Sequence, residues 1–316
     1  MIRDKRVGVV VPAHNEAQLI GAVLETMPAF VDRVFVVDDC SSDKTSDAVK
    51  TFVAKDPDRF ILIQHLKNQG VGGAIVTGYK QARDEKIDAV AVMAGDAQMD
   101  PADLDRIISP ILEGEADYVK GNRLFRGESW EMIPHHRYLG NSVLSLLTKI
   151  ASGYWHIADS QSGYTAISNV ALRTIDLDDI YARYGMPNDL LIKLNINNFR
   201  VRDVSIRPIY NIGEKSGIRL LSVIPKISWL LLKGFVGRMA NKYIIRDFHP
   251  LVFFYFLGVA LTPSGFLLGL YLIMLRLSGA GVTATSALFA AFLLISGLQS
   301  LFFAMWFDME YNKHLR

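Results

Sequence analysis

The chain is 316 residues long, with a formal net charge of +2 and a single cysteine, Cys40. That balance excludes a nucleic-acid partner held by bulk charge, and the lone cysteine excludes a disulfide framework and a Cys-rich zinc site. Half of the residues (50%) are hydrophobic, too many for an ordinary soluble enzyme but not for a soluble domain joined to membrane spans.

Residues 1–6 run straight into an apolar stretch without a signal-peptide pattern, so the N-terminal part is expected to stay in the cytoplasm. Residues 7–11, 33–37, 60–63, 89–93 and 117–120 read as strands, most of them continuous apolar runs. Helical patterns separate them; within residues 16–27, Leu19, Ile20, Val23, Leu24 and Met27 share one stripe. This alternation predicts an α/β, Rossmann-like domain whose mostly parallel sheet is covered on both faces. Ligands of such sheets bind at the carboxyl ends of the strands.

The first strand runs into Pro12, Ala13, His14, Asn15 and Glu16, and the second into Asp38 and Asp39. Carboxylates there can accept hydrogen bonds from a uracil or guanine edge and from ribose hydroxyls. Helix capping accounts for Ser42 and Asp43, and a helix N-terminus for Glu16, but neither accounts for the Asp38–Asp39 pair. After the fourth strand, Asp96 and Gln98 put two oxygens on one side of a turn. A hard divalent ion shared with a pyrophosphate needs little more from the protein. Asp100 with Pro101 reads as the start of the following helix.

Residues 123–212 are less regular and are expected to complete the site. In residues 217–246, Arg219, Lys226 and Lys233 stand at seven-residue spacing among Leu221, Ile224, Trp229 and Leu232, with Pro225 expected to begin a second helix. A basic, apolar, Trp-bearing stretch suggests helices lying in a membrane interface, the alternative being helices packed under the sheet. Residues 251–275 and 284–307 carry no charge, and each can cross a hydrocarbon core of about 30 Å at about 1.5 Å per residue. Pro263 is tolerated in such a span, and the short linker predicts a hairpin. Lys226, Lys233, Arg238, Lys242 and Arg246 before the hairpin, with Lys313 and Arg316 after it, place both ends on the cytoplasmic side. A buried helical hairpin of a soluble core is the alternative.

Together these segments resemble the family 2 glycosyltransferases, which have the GT-A fold. Among them the likeness is to polyprenyl-phosphate sugar synthases of the dolichol-phosphate mannose synthase type. It covers residues 7 to about 217 and rests on four motifs in family order: VPAHNE, VDDCSSDKT, NQGVGGAIVTGYKQA and AGDAQMDP. The resemblance implies a nucleotide-sugar donor at Pro12, Ala13, Asn15, Glu16, Asp38, Asp39, Gly73, Asp96 and Gln98. It puts Mg²⁺ or Mn²⁺ on Asp96 and Gln98, and makes Asp96 catalytic. Arg123, Arg137 and Lys215 resemble basic residues at an acceptor phosphate, which suits arginine's planar fork. Asp159, in DSQSGY, and Asp189, in PNDLL, are sugar-binding or base candidates. Three positions depart from the family: Ala94 replaces an acid, Val71 a basic residue, and Lys215 precedes Ser216 where the family has Gly-x-Ser-Lys.

The implied reaction is a single inverting displacement by a polyprenyl phosphate, of dolichyl or undecaprenyl type, on a UDP- or GDP-linked sugar. The expected division is a catalytic domain over 1–216, amphipathic juxtamembrane helices over 217–247 and two spans over 248–316. This describes an integral protein of the cytoplasmic membrane with catalytic domain and termini in the cytoplasm. Oligomeric state is left open, a homo-oligomer included. The rival readings are a polysaccharide or glycolipid synthase, against which stands the lack of a Gln-x-x-Arg-Trp segment after residue 190, and a membrane-bound nucleotide-sugar-binding protein that has lost catalysis, for which Ala94 is the support.

Overall fold

Runs of β-branched and apolar residues form seven strands: β1 (Val7–Ala13), β2 (Arg33–Asp38), β3 (Phe60–Gln64), β4 (Ala89–Val92), β5 (Tyr118–Asn122), β6 (Thr165–Ser168) and β7 (Val201–Ser205). The computed structural model describes residues 2, 4–124, 135–207, 209 and 220–316. The seven-stranded sheet has the order β3-β2-β1-β4-β6-β5-β7. Every strand except β6 runs in one direction; β6 lies antiparallel between β4 and β5. The carboxyl ends of the parallel strands and the amino end of β6 therefore share one edge.

Helices α1 (Ile20–Glu25), α2 (Thr45–Lys55), α3 (Val71–Asp84), α4 (Leu104–Leu112), α5 (His135–Ser152), α6 (Asn169–Thr174) and α7 (Met186–Ile196) surround the sheet. Continuous apolar strands are explained by two cores, because alternate side chains enter opposite layers. Val7, Val9 and Val11 pack with Ile20, Val23 and Ile107, whereas Val10, Phe35 and Val37 pack with Ala74, Tyr79 and Leu190. α1 is shorter than the periodicity of residues 16–27 suggests. The amides of Glu16 and Ala17 donate to Thr45 Oγ1 and Asp43 Oδ2, which pins this loop to the β2–α2 loop before the helix begins.

Two glycines decide how α3 seats. A Cβ on Gly78 would lie 2.4 Å from Val10 Cγ1, so glycine lets the helix close on β1. A Cβ on Gly72 would lie 2.5 Å from Tyr181 O and 2.8 Å from Ala182 C, backbone atoms with nowhere to go. Gly72→Ala is accordingly expected to lower stability by about 1–3 kcal/mol, read from denaturant unfolding of the purified protein.

The chain divides into two compact units, Met1–Phe235 with Leu315–Arg316, and Val236–His314. Helix α8 (Leu220–Ala240) is continuous and contains Pro225, so no second helix starts there. Proline near a helix's first turns removes few internal hydrogen bonds, which is why it is tolerated. In the second unit, α9 (Leu251–Leu277) and α10 (Ala284–Tyr311) are long and apolar enough to cross a membrane. They form a hairpin whose seam repeats every seven residues: Leu251, Gly258 and Gly265 on α9, and Ala290, Gly297 and Ala304 on α10, are buried. Small residues let the backbones close up; a Cβ on Gly265 would stand 2.5 Å from Leu294 N. Large residues such as Phe256, Leu267, Phe292 and Trp306 face outward.

At the foot of this hairpin, Arg238 and Asp308 are wholly buried and meet as a fork, Nη1 to Oδ1 at 2.7 Å and Nη2 to Oδ2 at 2.9 Å. Tyr243 donates its hydroxyl to Asp308 Oδ1 at 2.6 Å, and Lys242 Nζ donates to Asn312 Oδ1 at 2.8 Å. A π-helical segment, Asn241–Arg246, carries Lys242 and Tyr243 to these partners.

Candidate active site

The sheet edge orders the predicted site residues in space. From one side to the other come the ends of β3, β2, β1 and β4, then the entry to β6, then the end of β5. Neighbouring strands stand about 4.8 Å apart, so the nucleotide-type motifs and the arginine motif lie along one sheet edge within a few strands of each other.

On the first half, Asp38 and Asp39 are buried and fully engaged. Asp38 accepts from the Ser41 amide at 3.0 Å and from the Ser46 hydroxyl. Asp39 accepts from the amides of Gln69 (2.8 Å) and Gly70 (2.7 Å), and from His65 Nδ1 at 2.8 Å. This pair thus closes the loops after β2 and β3 on each other, with Gly70 in the left-handed region at φ 90°. His65, which no sequence pattern singled out, bridges Asp39 and Thr77 Oγ1. Asn15, also left-handed at φ 59°, receives the Ser42 amide on Oδ1 at 2.8 Å, and its own amide donates to Ser41 Oγ. The amide of Gly73 donates to Ala182 O at 2.9 Å, so this glycine docks the 181–182 loop on α3.

At the end of β4, Asp96 Oδ1 accepts the Gln98 amide at 3.1 Å across a turn that holds Ala97 at φ 59°. The Gly95 amide donates to Pro12 O, tying this turn to the end of β1. Asp100 caps the short helix that follows, its Oδ1 accepting from Ala102, as its position before Pro101 predicts. Glu16 is partly buried near Asp96; burial first, then the charges of Asp96 and Asp43, raise its carboxyl above the usual range. Among the described residues no three His, Cys, Asp or Glu side chains gather as a metal cage. The acids crowded at this point fit a divalent ion held largely by a ligand's phosphates, with Asp96 as the protein's carboxylate.

On the other half, Arg123 forks onto Asp159, with Nε to Oδ2 at 2.7 Å and Nη2 to Oδ1 at 3.2 Å. Asp159 is wholly buried and also accepts from the amides of Gln161 and Ser162. Burial opposes its charge, but the charge and hydrogen bonds of Arg123 together with the charge of Lys120 hold the carboxyl below its ordinary range. Asp189, in the first turn of α7, accepts from the Tyr181 amide at 2.9 Å and lies 3.6 Å from Lys193 Nζ. Burial raises its carboxyl despite Lys193. Arg137 lies on α5, where its side chain is outside the described residues, as is the whole of Lys215.

Residues 8–176 match the family model for glycosyl transferase family 2. The chain belongs to this family. Over 219 residues it is 31% identical to the UDP-N-acetylglucosamine–dolichyl-phosphate N-acetylglucosaminyltransferase of Methanococcus voltae, covering 66% of this chain and 87% of that one. It is 30% identical to an undecaprenyl-phosphate mannosyltransferase of Micrococcus luteus, covering 75% of this chain and 98% of the relative. The fold is similar to that of glucosyl-3-phosphoglycerate synthase from Mycobacterium tuberculosis in complex with Mn²⁺, UDP and glucosyl-3-phosphoglycerate. The TM-score is 0.53 at 20% identity, over 74% of this chain and 80% of that one. The GT-A architecture expected from the motifs is therefore present.

This family 2 glycosyl transferase also holds groups that its motifs do not reveal. Asp203 on β7 accepts from Asn122 Nδ2 at 2.8 Å and from the Ala158 amide at 2.7 Å. It thereby joins the segment that carries Arg123 to the segment that carries Asp159. Burial pushes its carboxyl up to about 6. Lys120, wholly buried, donates to Ser162 O at 2.7 Å, and burial lowers its ammonium to about 8 against the pull of Asp159 and Asp203. Alternation along β5 and β7 would mark these positions as core-facing, yet both are charged, which is the one signal available in the sequence.

Proposed function

We propose that this protein transfers a sugar from a nucleotide-sugar to a polyprenyl phosphate, with inversion, at the cytoplasmic face of the membrane. The observation that carries this reading is an arginine fork, Arg123 on Asp159, at the edge of a family 2 sheet whose chain also holds two membrane-length helices. Relatives that act on dolichyl and undecaprenyl phosphates support it. In this reading residues 1–216 are catalytic, 217–247 rest on the membrane surface and 248–316 cross it, with both termini in the cytoplasm. The exposed Ile224, Trp229 and Leu232 on α8 support the surface role.

A phosphate monoester has a second pKa of about 6, so the acceptor is largely ionised at neutral pH and needs little help from a base. Its oxygen attacks the anomeric carbon opposite the leaving diphosphate; the new C–O bond forms as the bond to the diphosphate breaks, and the diphosphate leaves with the electron pair. Asp159, buried and forked to Arg123, is a positioning residue in this scheme and not a base. Asp189 takes a sugar hydroxyl. The residues after β1, β2 and β3, with Gly73, surround the nucleotide, while Arg123, Arg137 and Lys215 neutralise the acceptor phosphate. Asp96 and Gln98 would hold Mg²⁺ or Mn²⁺, which when bound supplies charge neutralisation at the departing diphosphate.

The test is transfer from labelled UDP- and GDP-sugars with and without added polyprenyl phosphate; sugar release that ignores the lipid phosphate would overturn the proposal. Within that assay, Arg123→Ala is expected to raise the acceptor KM about ten-fold or more, since a charge-assisted contact contributes about 1.5–3 kcal/mol. The near-isosteric Asp203→Asn should move the acceptor KM in the same direction while the donor KM stays close to wild type. Equal changes in both constants would make Asp203 a general stabiliser and not a positioning residue.

A further inference from the structure

Lys120 is a full positive charge closed inside the sheet domain, and the transfer scheme gives it no task. It stands on β5 between its register partners, Thr165 of β6 and Asp203 of β7, and is wholly buried. Paired positions project to the same face of a sheet, so its ammonium and the Asp203 carboxylate share one layer. Among the described residues its one hydrogen bond goes to a neutral acceptor, Ser162 O, at 2.7 Å. An ammonium has three donors, so two are held in reserve. The opposite charge is not closed either. Asp203 Oδ2 accepts from Asn122 and Ala158, while Oδ1 is buried without a hydrogen-bond partner among the described residues. A neutral amide could tie the Ser162 carbonyl at far lower desolvation cost than a buried ammonium. The charge itself therefore calls for a role.

We propose that Lys120 is a positioning residue of the acceptor site, a reserve counter-ion that takes over Asp159 when Arg123 turns its charge to the acceptor phosphate. This rests on the reading of Arg123 as an acceptor-phosphate residue. As they stand, Arg123 and Asp159 cancel, so the fork has no net charge to offer a phosphate monoester of about −1.5 to −2 at neutral pH. Once the guanidinium is shared between two anions, a wholly buried carboxylate is left short of counter-charge, which is a costly state. Lys120 is the other cation whose charge already acts on Asp159. One residue separates the two: Ser162 donates its amide to Asp159 Oδ1 at 3.2 Å and accepts Lys120 Nζ on its carbonyl oxygen. Rotation about the last bonds of the lysine stem exchanges the carbonyl for the carboxylate in this scheme. The charged groups that act on Lys120 from the segments around it are Asp159, Asp203 and Arg123. Burial, assisted by Arg123, lowers its ammonium to about 8 against the two carboxylates. The reserve charge is thus present at neutral pH and is lost as the pH rises through about 8.

The experiment uses the full chain in nanodiscs, with initial rates of transfer to polyprenyl phosphate over about pH 7 to 9, where the acceptor stays ionised. Lys120→Met removes both the charge and the tie to Ser162. Lys120→Gln removes the charge but keeps a donor for that carbonyl. The expected result is that both variants raise the acceptor KM about ten-fold, with the donor KM close to wild type. The wild-type acceptor KM should rise as the pH passes about 8, and Lys120→Gln should abolish that rise. Asp159→Asn removes the charge that Lys120 serves, so adding Lys120→Gln to it should raise the acceptor KM little further. A wild-type acceptor KM in Lys120→Gln would assign Lys120 to the Ser162 tie alone and overturn the proposal. A wild-type KM that stays flat across this pH range overturns it without recourse to any variant. Equal losses in donor and acceptor KM, or full additivity with Asp159→Asn, would make Lys120 a structural residue and also overturn it. An unchanged acceptor KM in Arg123→Ala would remove the reading beneath this proposal, and the proposal with it.

Discussion

Asp96→Ala is expected to lower sugar transfer by about a hundred-fold or more, the scale on which a lost electrostatic partner of a leaving group acts. The reason lies in how little else is available at the end of β4. Residue 94, two positions before Asp96, is an alanine, and no three-residue metal cage exists among the described residues. Glu16 is close enough to feel the charge of Asp96, yet its backbone is held by the β2–α2 loop through Thr45. In the proposed reaction Asp96 would carry the protein's share of a divalent ion, and the substrate's phosphates would carry the rest. The variant should remain folded, because the β1–β4 contact made by Gly95 and Pro12 uses backbone atoms alone. Circular dichroism and initial rates over a Mg²⁺ and Mn²⁺ series check both halves of this expectation. Full turnover of the wild type in excess chelator would contradict the metal role.

Asp308→Ala should destabilise the helical hairpin by about 3–5 kcal/mol, since it strands a buried guanidinium. Arg238 and Asp308 are both wholly buried, and the fork is reinforced by Tyr243 and by Asn312 Nδ2 at 2.9 Å. Removing one charge leaves the other without compensation, whereas removing both leaves a space that apolar side chains can fill. Arg238→Met combined with Asp308→Leu should therefore recover most of the loss. Unfolding of the full protein in mixed micelles, followed by the near-ultraviolet signal of Trp306, gives the comparison. A double variant as weak as Asp308→Ala alone would show that geometry, and not charge, holds this point.

Much of this protein was legible in the chain because its information is local. The motifs after β1, β2 and β4 lie within a few residues of strands whose apolar runs announce them, so their gathering at one sheet edge follows from parallel pairing alone. The two helices long and apolar enough to cross a membrane follow from length and hydropathy in the same way. Roles that depend on pairing were not legible. Asp159 reads in sequence as a sugar-binding or base candidate, yet it stands buried against Arg123, thirty-six positions away along the chain (|i−j|=36). Arg238 reads as one more positive charge before a span, yet it is closed off by Asp308 at |i−j|=70. The insertion of β6, the joining of Asn122 and Ala158 by Asp203, and the placing of Lys120 beside Asp203 likewise belong to the tertiary structure. A residue type and its neighbours determine what a side chain can do. Which charges are desolvated together is set only when distant segments pack.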